Sequence, residues 1–537
     1  VTSSDFKKRE LFSPGPDVKL IIVHYHLRPG GIRRVIELAT PHLVRALAPV
    51  ETVTLACGET SNGTWQQNFA DTIAPAKLET VIAPALGYFS EQTDAPARIR
   101  ARLRHTLDTI LSSAPAENTI VWAHNLGIGR NLLLTQELAR ACAARNIRLI
   151  SHHHDWWFDN RWLRWPEIRR SGFSTLKKVA ETVFPPSPVI RHAAINEEES
   201  AVLKRQFGPK SGWLPNLAEP QKSPRPDRVR AARRWLRQQL GAKSAPVWIL
   251  PCRLLRRKNI AEALLLTRWL RPEAWLVTTG GASSADELAY FDSLQNAALR
   301  HKWRLRLGIL QGDETQKPTV PELLAASEAV LLTSIQEGFG LPYLEAAAAG
   351  RPLLARNLPN IAPDLHEFGF RFPQSYDETW VSTALFDWGK EFTRQTERFA
   401  RWRAQLPAPL RKLAPRPMLL ATSRPPKRIP FSRLTLTAQL EVLAHPAATS
   451  WQACAGFNPW LPSWQQRAAT GRLQVTRWPR SATRWLSGAA YARGFVDLVR
   501  AVDEAGNKSA SLKVQSELFA KKLCPENLYP LLWATEP

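Results

Sequence analysis

The sequence predicts an α/β protein: two facing Rossmann-like, doubly wound domains followed by a mostly helical extension. Three observations carry this. At 537 residues the chain exceeds one ordinary core, and two domains of roughly 200 residues plus an extension fit its length. Apolar runs of strand type alternate with helical patterns across short turns, as a parallel sheet with crossover helices requires. The alternation then stops at the Pro- and Lys/Arg-rich stretch 220–226 and restarts at VWILPCR, residues 247–253.

In chain order, VKLIIVHYHL (18–27) reads as the first buried strand. The turn Arg28-Pro29-Gly30-Gly31 and the helix IRRVIELATPHLVRAL follow. Runs 51–57, 78–84, 118–124 and 147–153 read as later strands, with helical patterns at 95–112 and 132–145, and 189–196 looks like one more strand. The second series gives a strand at 247–253, a helix at 260–270 and a strand at 274–279. A helix at 286–299, a strand near 304–309, a helix at 320–327, a strand at 329–334 and a helix at 342–349 complete it. Domain boundaries are expected at 1–188, 189–404 and 405–537. The extension opens with seven prolines in 405–432, continues Trp-rich with a helix at 490–505, and is expected to pack back on the core.

Composition excludes several classes. Apolar residues at 44% and aromatics at 9% supply packed cores, which excludes wholesale disorder. No apolar run is long enough to span a bilayer, and VTSSDFKKRE at the N-terminus has no apolar signal-peptide region. Cys57, Cys142, Cys252, Cys454 and Cys524 are scattered and odd in number, which argues against a disulfide framework or zinc ribbon. The net charge of +25 attracts anions: nucleotide diphosphates, acidic lipid head groups or nucleic acid. No zinc-finger spacing or RRM-type aromatic motif supports nucleic acid.

The segment richest in chemistry is EGFGLPYLEAAAAGRPLLA, residues 337–355. Glu337 lies in a Gly-rich loop after a buried strand, and Glu345 lies in the following helix. Pro342 suits a first helical turn. Gly338 and Gly340 allow close approach of a ligand to backbone, and the helix start aims free N–H groups at an anion. Carboxylates accept hydrogen bonds from the vicinal hydroxyls of sugars and ribose. Upstream, RLLRRK sets Arg253 and Lys258 after another buried strand, and two fixed cations can clamp a diphosphate. The N-terminal half has two His-bearing strand ends, WAHNLGIGRN with His124 and Asn125, and HHHDWWFDNRW with His152, His153, His154 and Asp155. Both fall at the carboxyl edge of the sheet, where such folds bind ligands. Trp156 and Trp157 are candidates to stack on an acceptor sugar. A metal held by His152, His154 and Asp155 is the rival reading of this second motif, and no metal site is expected.

Residues 337–345 resemble the E-x7-E signature of retaining glycosyltransferases of family four, which have the GT-B architecture of two Rossmann-like domains. The resemblance runs from about residue 18 to 364 and fades beyond about 380. It implies that Glu337 contacts donor-sugar hydroxyls, that Glu345 binds the nucleotide ribose, and that Gly338, Phe339 and Gly340 line the donor site. It implies that Arg253 and Lys258 hold the leaving diphosphate, that Gly30 and Gly31 approach donor phosphate, and that His154 reaches a donor-sugar hydroxyl. His124, Asn125, Asp155, Trp156 and Trp157 are the acceptor-side candidates. The resemblance further implies closure of the two domains over the donor, with 215–226 as hinge, and a C-terminal helix that returns to the N-domain.

The expected activity is retaining transfer of a hexosyl group from a UDP- or GDP-linked sugar to a sugar, glycan or lipid-linked hydroxyl, with no cofactor required. A cytoplasmic enzyme follows, with peripheral contact to an anionic membrane as an option through the Arg-rich helix near 98–104. Two rivals are a GT-B sugar phosphorylase or nucleotide-sugar isomerase, and a basic membrane- or nucleic-acid-binding module with an inactive sugar site.

Overall fold

The computed structural model describes residues 18–523 except 29, 48, 60–62, 114, 160–161, 163, 221–222, 243, 283–284, 313–316 and 502–508. Pro29, Cys524 and part of the 220–226 loop thus lie outside the described residues. The other four cysteines are buried and unpaired.

The described residues up to Ala218, joined by Thr483–Lys522, form a first compact unit, and Glu219–Ala482 form a second. The first holds a parallel sheet of β1 (Val18–Val23), β2 (Val50–Cys57), β3 (Lys77–Ile82), β4 (Thr119–His124), β5 (Arg148–His153), β6 (Ile190–Ala194) and β7 (Ser211–Trp213). Their order is β3-β2-β1-β4-β5-β6-β7. All six residues of β1 are buried, as expected of a central strand covered on both faces. Val18, Leu20 and Ile22 share one face by strand alternation. They pack in one cluster with Val35, Ile36 and Leu43 of the helix Gly31–Ala46 and with Tyr491 and Phe495 of the helix Gly488–Arg500.

The second unit repeats the plan. Strands β8 (Val247–Leu250), β9 (Trp275–Thr278), β10 (Leu305–Arg306), β11 (Ala329–Leu332), β12 (Leu353–Arg356) and β13 (Gln374–Tyr376) run in the order β10-β9-β8-β11-β12-β13. Counted from each unit's first strand, the order is 3-2-1-4-5-6, with a seventh strand added at the end in the first unit; this is the doubly wound order with its reversal between the first and fourth strands. A small antiparallel pair, β14 (Trp380–Ser382) with β15 (Arg428–Pro430), joins the Pro-rich segment to this unit.

The expected boundary at 188/189 falls inside the first unit. β6 pairs with β5, Leu149 opposite Ile190, and β7 pairs with β6, so the sheet continues to residue 213. The 405–537 extension is likewise divided. Its part up to Ala482 packs in the second unit, where Trp269 Nε1 donates to Ser450 Oγ at 2.9 Å. The part from Thr483 packs in the first, with Tyr491 and Phe495 against Trp122.

The stretch around 226, read as loop, starts the helix Pro226–Leu240, with Pro in its first turn and Asp227 beside the positive helix end. Only Ala232 and Leu236 of it are buried, so its Arg-rich face hid the apolar period. The Arg-rich helix Pro96–Leu111 is about half neutralised, two carboxylates serving four arginines: Arg98 and Arg102 pair with Asp94, and Arg100 and Arg104 with the buried Glu137. No helix among the described residues is long and apolar enough to cross a membrane.

Candidate active site

In the second unit the sheet order reverses between β8 and β11, so the loops leaving those strands part on opposite sides and frame a crevice at their carboxyl ends. The loop after β8 makes a tight turn, Arg256–Lys258, before the helix Ile260–Leu270. The loop after β11 carries Glu337 to the helix Leu341–Ala348. The two meet: Lys258 Nζ donates to Glu337 Oε1, and Arg257 Nη1 reaches Oε2 at 3.4 Å and the carbonyl of Gln336 at 2.8 Å. Burial pushes the Glu337 carboxyl up, but the charges of Lys258 and Arg257 outweigh it and hold the group at about 2. Glu337 is therefore a fixed anion at any physiological pH.

The surroundings hold this pair rigidly. Thr333 Oγ1 donates to the carbonyls of Lys258 and Asn259 at 3.0 and 3.1 Å, which ties the β8 loop to the end of β11. Asn360 Nδ2 donates to the Glu337 carbonyl at 2.8 Å. Beneath lies a buried network in which Glu262 accepts from Arg356 Nη2 at 2.5 and 2.6 Å, from Tyr376 at 2.8 Å and from Thr379 at 3.0 Å. Only Arg356 Nε in this set is left without a partner, and the remaining charge-assisted bonds hold the loops above it in place.

Gly340 precedes the helix with φ +81°, a conformation that disfavours any side chain. A Cβ there would stand 2.7 Å from Ile361 Cδ1 and 3.0 Å from Tyr343. No side chain caps the helix start, Pro342 in its first turn carries no N–H, and the Tyr343 N–H donates to the Gly340 carbonyl at 2.9 Å, so what this end offers an anion is chiefly the positive end of the helix dipole. Gly340→Ala is expected to cost about 1–3 kcal/mol of stability, read as a lower denaturant midpoint. A midpoint within error of wild type would show that the loop yields.

Two anticipated members sit differently. Arg253 donates to Glu287 Oε1 at 2.5 Å, a partner 34 residues away in sequence that spacing could not supply. Glu345 lies on the exposed face of its helix. The described structure thus brings together Lys258 and Glu337, adds Arg257, which the sequence left without a role, and gives Arg253 a partner of its own. Gly338 and Phe339 lie in the same loop, with Phe339 buried.

In the first unit the reversal lies between β1 and β4. His124 ends β4, and Asn125 follows in a left-handed turn at φ 61°. Asn125 is a bracket: Oδ1 accepts from the amides of His154 at 3.2 Å and Asp155 at 2.9 Å, and Nδ2 donates to Asp155 Oδ2 at 3.3 Å. The Nδ1 of His124 lies 3.2 Å from His154 Nε2. His152 Nε2 lies 3.1 Å from the Leu214 carbonyl. Burial, then the neighbouring rings, push His124 and His154 well below the ordinary imidazole range. Burial holds His152 at about 4. All three are neutral.

Ring nitrogens of His124, His152 and His154 lie within 4.8 Å of one another, a grouping of metal-ligand type. The rival metal reading joined His152 to His154 and missed His124, while Asp155 stands outside the group. The expectation of no metal site therefore meets three suitably spaced nitrogens. His153 faces elsewhere, its Nε2 lying 3.1 Å from His192 Nδ1.

Trp156 and Trp157 are not surface platforms. They are 1% and 0% exposed. A Cβ on Gly127 would stand 2.8 Å from Trp156, and the Trp157 ring meets Trp162 at 4.7 Å and Phe519 at 5.8 Å between centroids. Their motif reads as a stacking face only while the tail helix Ala510–Lys522, which supplies Phe519, is out of view. Gly30 and Gly31 are exposed ahead of the helix Gly31–Ala46, and a Cβ on Gly31 would meet nothing within 4 Å. Packing does not demand glycine there.

Comparison with known proteins agrees with this plan. The family model described as "Glycosyl transferases group 1" matches residues 233–369, which span both loops of the second-unit site. Residues 233–369 thus match the group 1 model, and the two doubly wound units have the GT-B fold. It is 25% identical over 353 residues to a mannosylglucosyl-3-phosphoglycerate synthase of Petrotoga mobilis, a match covering 63% of this chain and 65% of that protein. It is 25% identical over 297 residues to a mannosylglucosylglycerate synthase of Thermotoga maritima, covering 51% and 66%. The chain thus spans slightly under two thirds of these relatives. A glycosyltransferase from Rickettsia africae shares the fold at a TM-score of 0.50 and 11% identity, over 90% of this chain and 98% of that one.

Proposed function

We propose that this chain is a retaining glycosyltransferase that moves a hexosyl group from a UDP- or GDP-linked sugar to a hydroxyl acceptor. The observation that carries the reading is the buried Lys258–Glu337 pair, flanked by Arg257, at the reversal point of the sheet that bears the group 1 match. Such a set offers a diphosphate a buried cation and offers a sugar a permanent carboxylate. The uncapped helix start beyond Gly340 adds partial positive charge for the same anion.

In this reaction the acceptor oxygen attacks the anomeric carbon on the face from which the diphosphate departs. The anomeric carbon–phosphate oxygen bond breaks, and the leaving phosphate oxygen takes the acceptor proton. The protein needs no nucleophile of its own. It positions both substrates and stabilises charge that grows on the leaving group. Lys258 and Arg253 supply that stabilisation. Glu337 orients the hexose hydroxyls, Glu345 holds the ribose, and His154 contacts the donor sugar as a neutral imidazole. The names of the curated relatives favour a small sugar-bearing acceptor over a lipid-linked one.

A thermal-shift screen with UDP, GDP and their sugars, followed by mass spectrometry of acceptor mixtures, tests the proposal. Stabilisation by UDP or GDP is expected, and Glu337→Ala should lower transfer far more than nucleotide affinity. A chain that no nucleotide diphosphate stabilises would favour the basic binding module instead. Equal losses of transfer and affinity in Glu337→Ala would remove that residue from the sugar.

A further inference from the structure

Arg164 is an anomaly in the first unit. It is buried, 9% exposed, yet no described residue accepts a hydrogen bond from its guanidinium or forms an ion pair with it, and its Nε is orphaned. Beside it stands a second cation, Arg130, whose Nε is also buried without a partner and whose guanidinium lies 4.6 Å from the centre of the Tyr88 ring. Burial first, and the charge of Arg130 second, pull the Arg164 guanidinium down to about 10. Glu167 and Asp155 act on it in the opposite sense, from beyond ion-pair distance.

Other buried cations among the described residues have partners, even where, as in Arg191 and Arg356, the Nε itself has none. Arg356 has Glu262 and Glu378, Lys522 has Asp159 and Glu199, and Arg191 donates to the carbonyls of Pro188, Ile190 and Ala501. Nearby Arg28, itself exposed, is matched by Glu59 at 2.5 Å and Glu91 at 3.3 Å. A buried guanidinium beside a half-buried one, with no counter-charge at ion-pair distance among the described residues, is costly. Planar guanidinium forks match carboxylate and phosphate oxygens.

The location is the acceptor side of the unit. Arg130 follows the β4 end and its turn, and Arg164 lies beyond the β5 end that carries His154 and Asp155. Tyr88 is held there too, its hydroxyl 2.9 Å from His26 Nε2.

We infer that Arg130 and Arg164, with Tyr88 beside them, form a subsite for an oxyanion, a carboxylate or phosphate carried by the acceptor. The inference rests on the reading that the first unit receives the acceptor, and it narrows that acceptor to an anionic sugar or polyol derivative.

The test uses the full chain saturated with UDP, so that the donor site does not take the added anion. Inorganic phosphate and D-glycerate are titrated separately by calorimetry, against wild type, Arg164→Gln and Arg130→Gln. At least one of the two anions should bind wild type, and each variant should weaken it about tenfold or more while UDP affinity stays unchanged. Preference for one anion identifies the group. Arg130→Gln keeps the test intact if Arg164→Gln does not fold. Equal anion affinity in the variants and wild type would overturn the subsite, as would no binding of either anion by a chain that binds UDP. Failure to bind UDP would strike the donor reading instead.

Discussion

Lys258→Ala is expected to lower glycosyl transfer by about 10²–10³-fold, because under the proposed function it removes the buried cation that stabilises charge developing on the leaving diphosphate. The Lys258 side chain is 11% exposed and its ammonium lies on Glu337. A compensating water or surface lysine cannot easily take its place. The substitution has a second consequence that separates it from simple loss of activity. It leaves Glu337 buried with Arg257 as its remaining cation, at 3.4 Å, and breaking a buried pair is strongly destabilising.

The pH dependence should shift with it. In wild type the Glu337 carboxyl is depressed from 4.5 to about 2. Its contribution to stability is therefore complete above about 4.5 and lost as pH falls toward 2. Without Lys258 burial weighs more, the carboxyl rises, and acid unfolding should begin at higher pH. The checks are the transfer rate at saturating donor, the thermal shift given by UDP, and an acid titration of folded signal. Transfer within threefold of wild type would remove Lys258 from the reaction.

That prediction concerns the part of the site most legible in the sequence. Buried parallel strands announce themselves as apolar runs, and β1 and β8 stand where VKLIIV and VWIL are written. Glycine, proline and two carboxylates around one helix start are local signals, and they led to Glu337 and Gly340. Contacts between distant segments are not local. The pairing of Arg253 with Glu287 joins two loops, and nothing in RLLRRK distinguishes Arg253 from Arg257. The roles of Arg257 at Glu337 and of Glu262 beneath Arg356 emerge only once β8, β11 and β12 lie side by side. Arg130 and Arg164 were illegible for the same reason. A solitary arginine in sequence looks like solvated surface, and its burial depends on chain that folds over it.

The division of the chain into units differs from the expected limits on a related point. The sequence marks breaks in composition, and 220–226 is such a break, but it does not say on which side of the break a strand finds its partner. β6 and β7 complete the first sheet because β5 offers its hydrogen-bonding edge to β6, and β6 offers the next edge to β7. The tail follows two cores for the same reason: Tyr491 and Phe495 complete the packing around Trp122, while Trp460 and Trp464 complete that around Tyr376.

Trp157→Ala separates a binding aromatic from a packing one. A stacking platform would lose acceptor affinity on truncation and keep its stability. Trp157 is fully buried, its ring centroid lies 5.6 Å from Trp165 and 5.8 Å from Phe519, and Phe519 belongs to the returning tail helix. Truncation should open a cavity between the sheet edge and that helix and cost about 3–5 kcal/mol. The indole N–H has no partner in the structure, so Trp157→Phe keeps most of the apolar volume, breaks no hydrogen bond and should cost much less. In the folded fraction of either variant, the KM for acceptor should stay near wild type. Denaturant midpoints and acceptor kinetics at a temperature where both variants are folded measure the two quantities independently. A raised acceptor KM with an unchanged midpoint would return Trp157 to the binding surface and require the tail helix to leave it during the reaction.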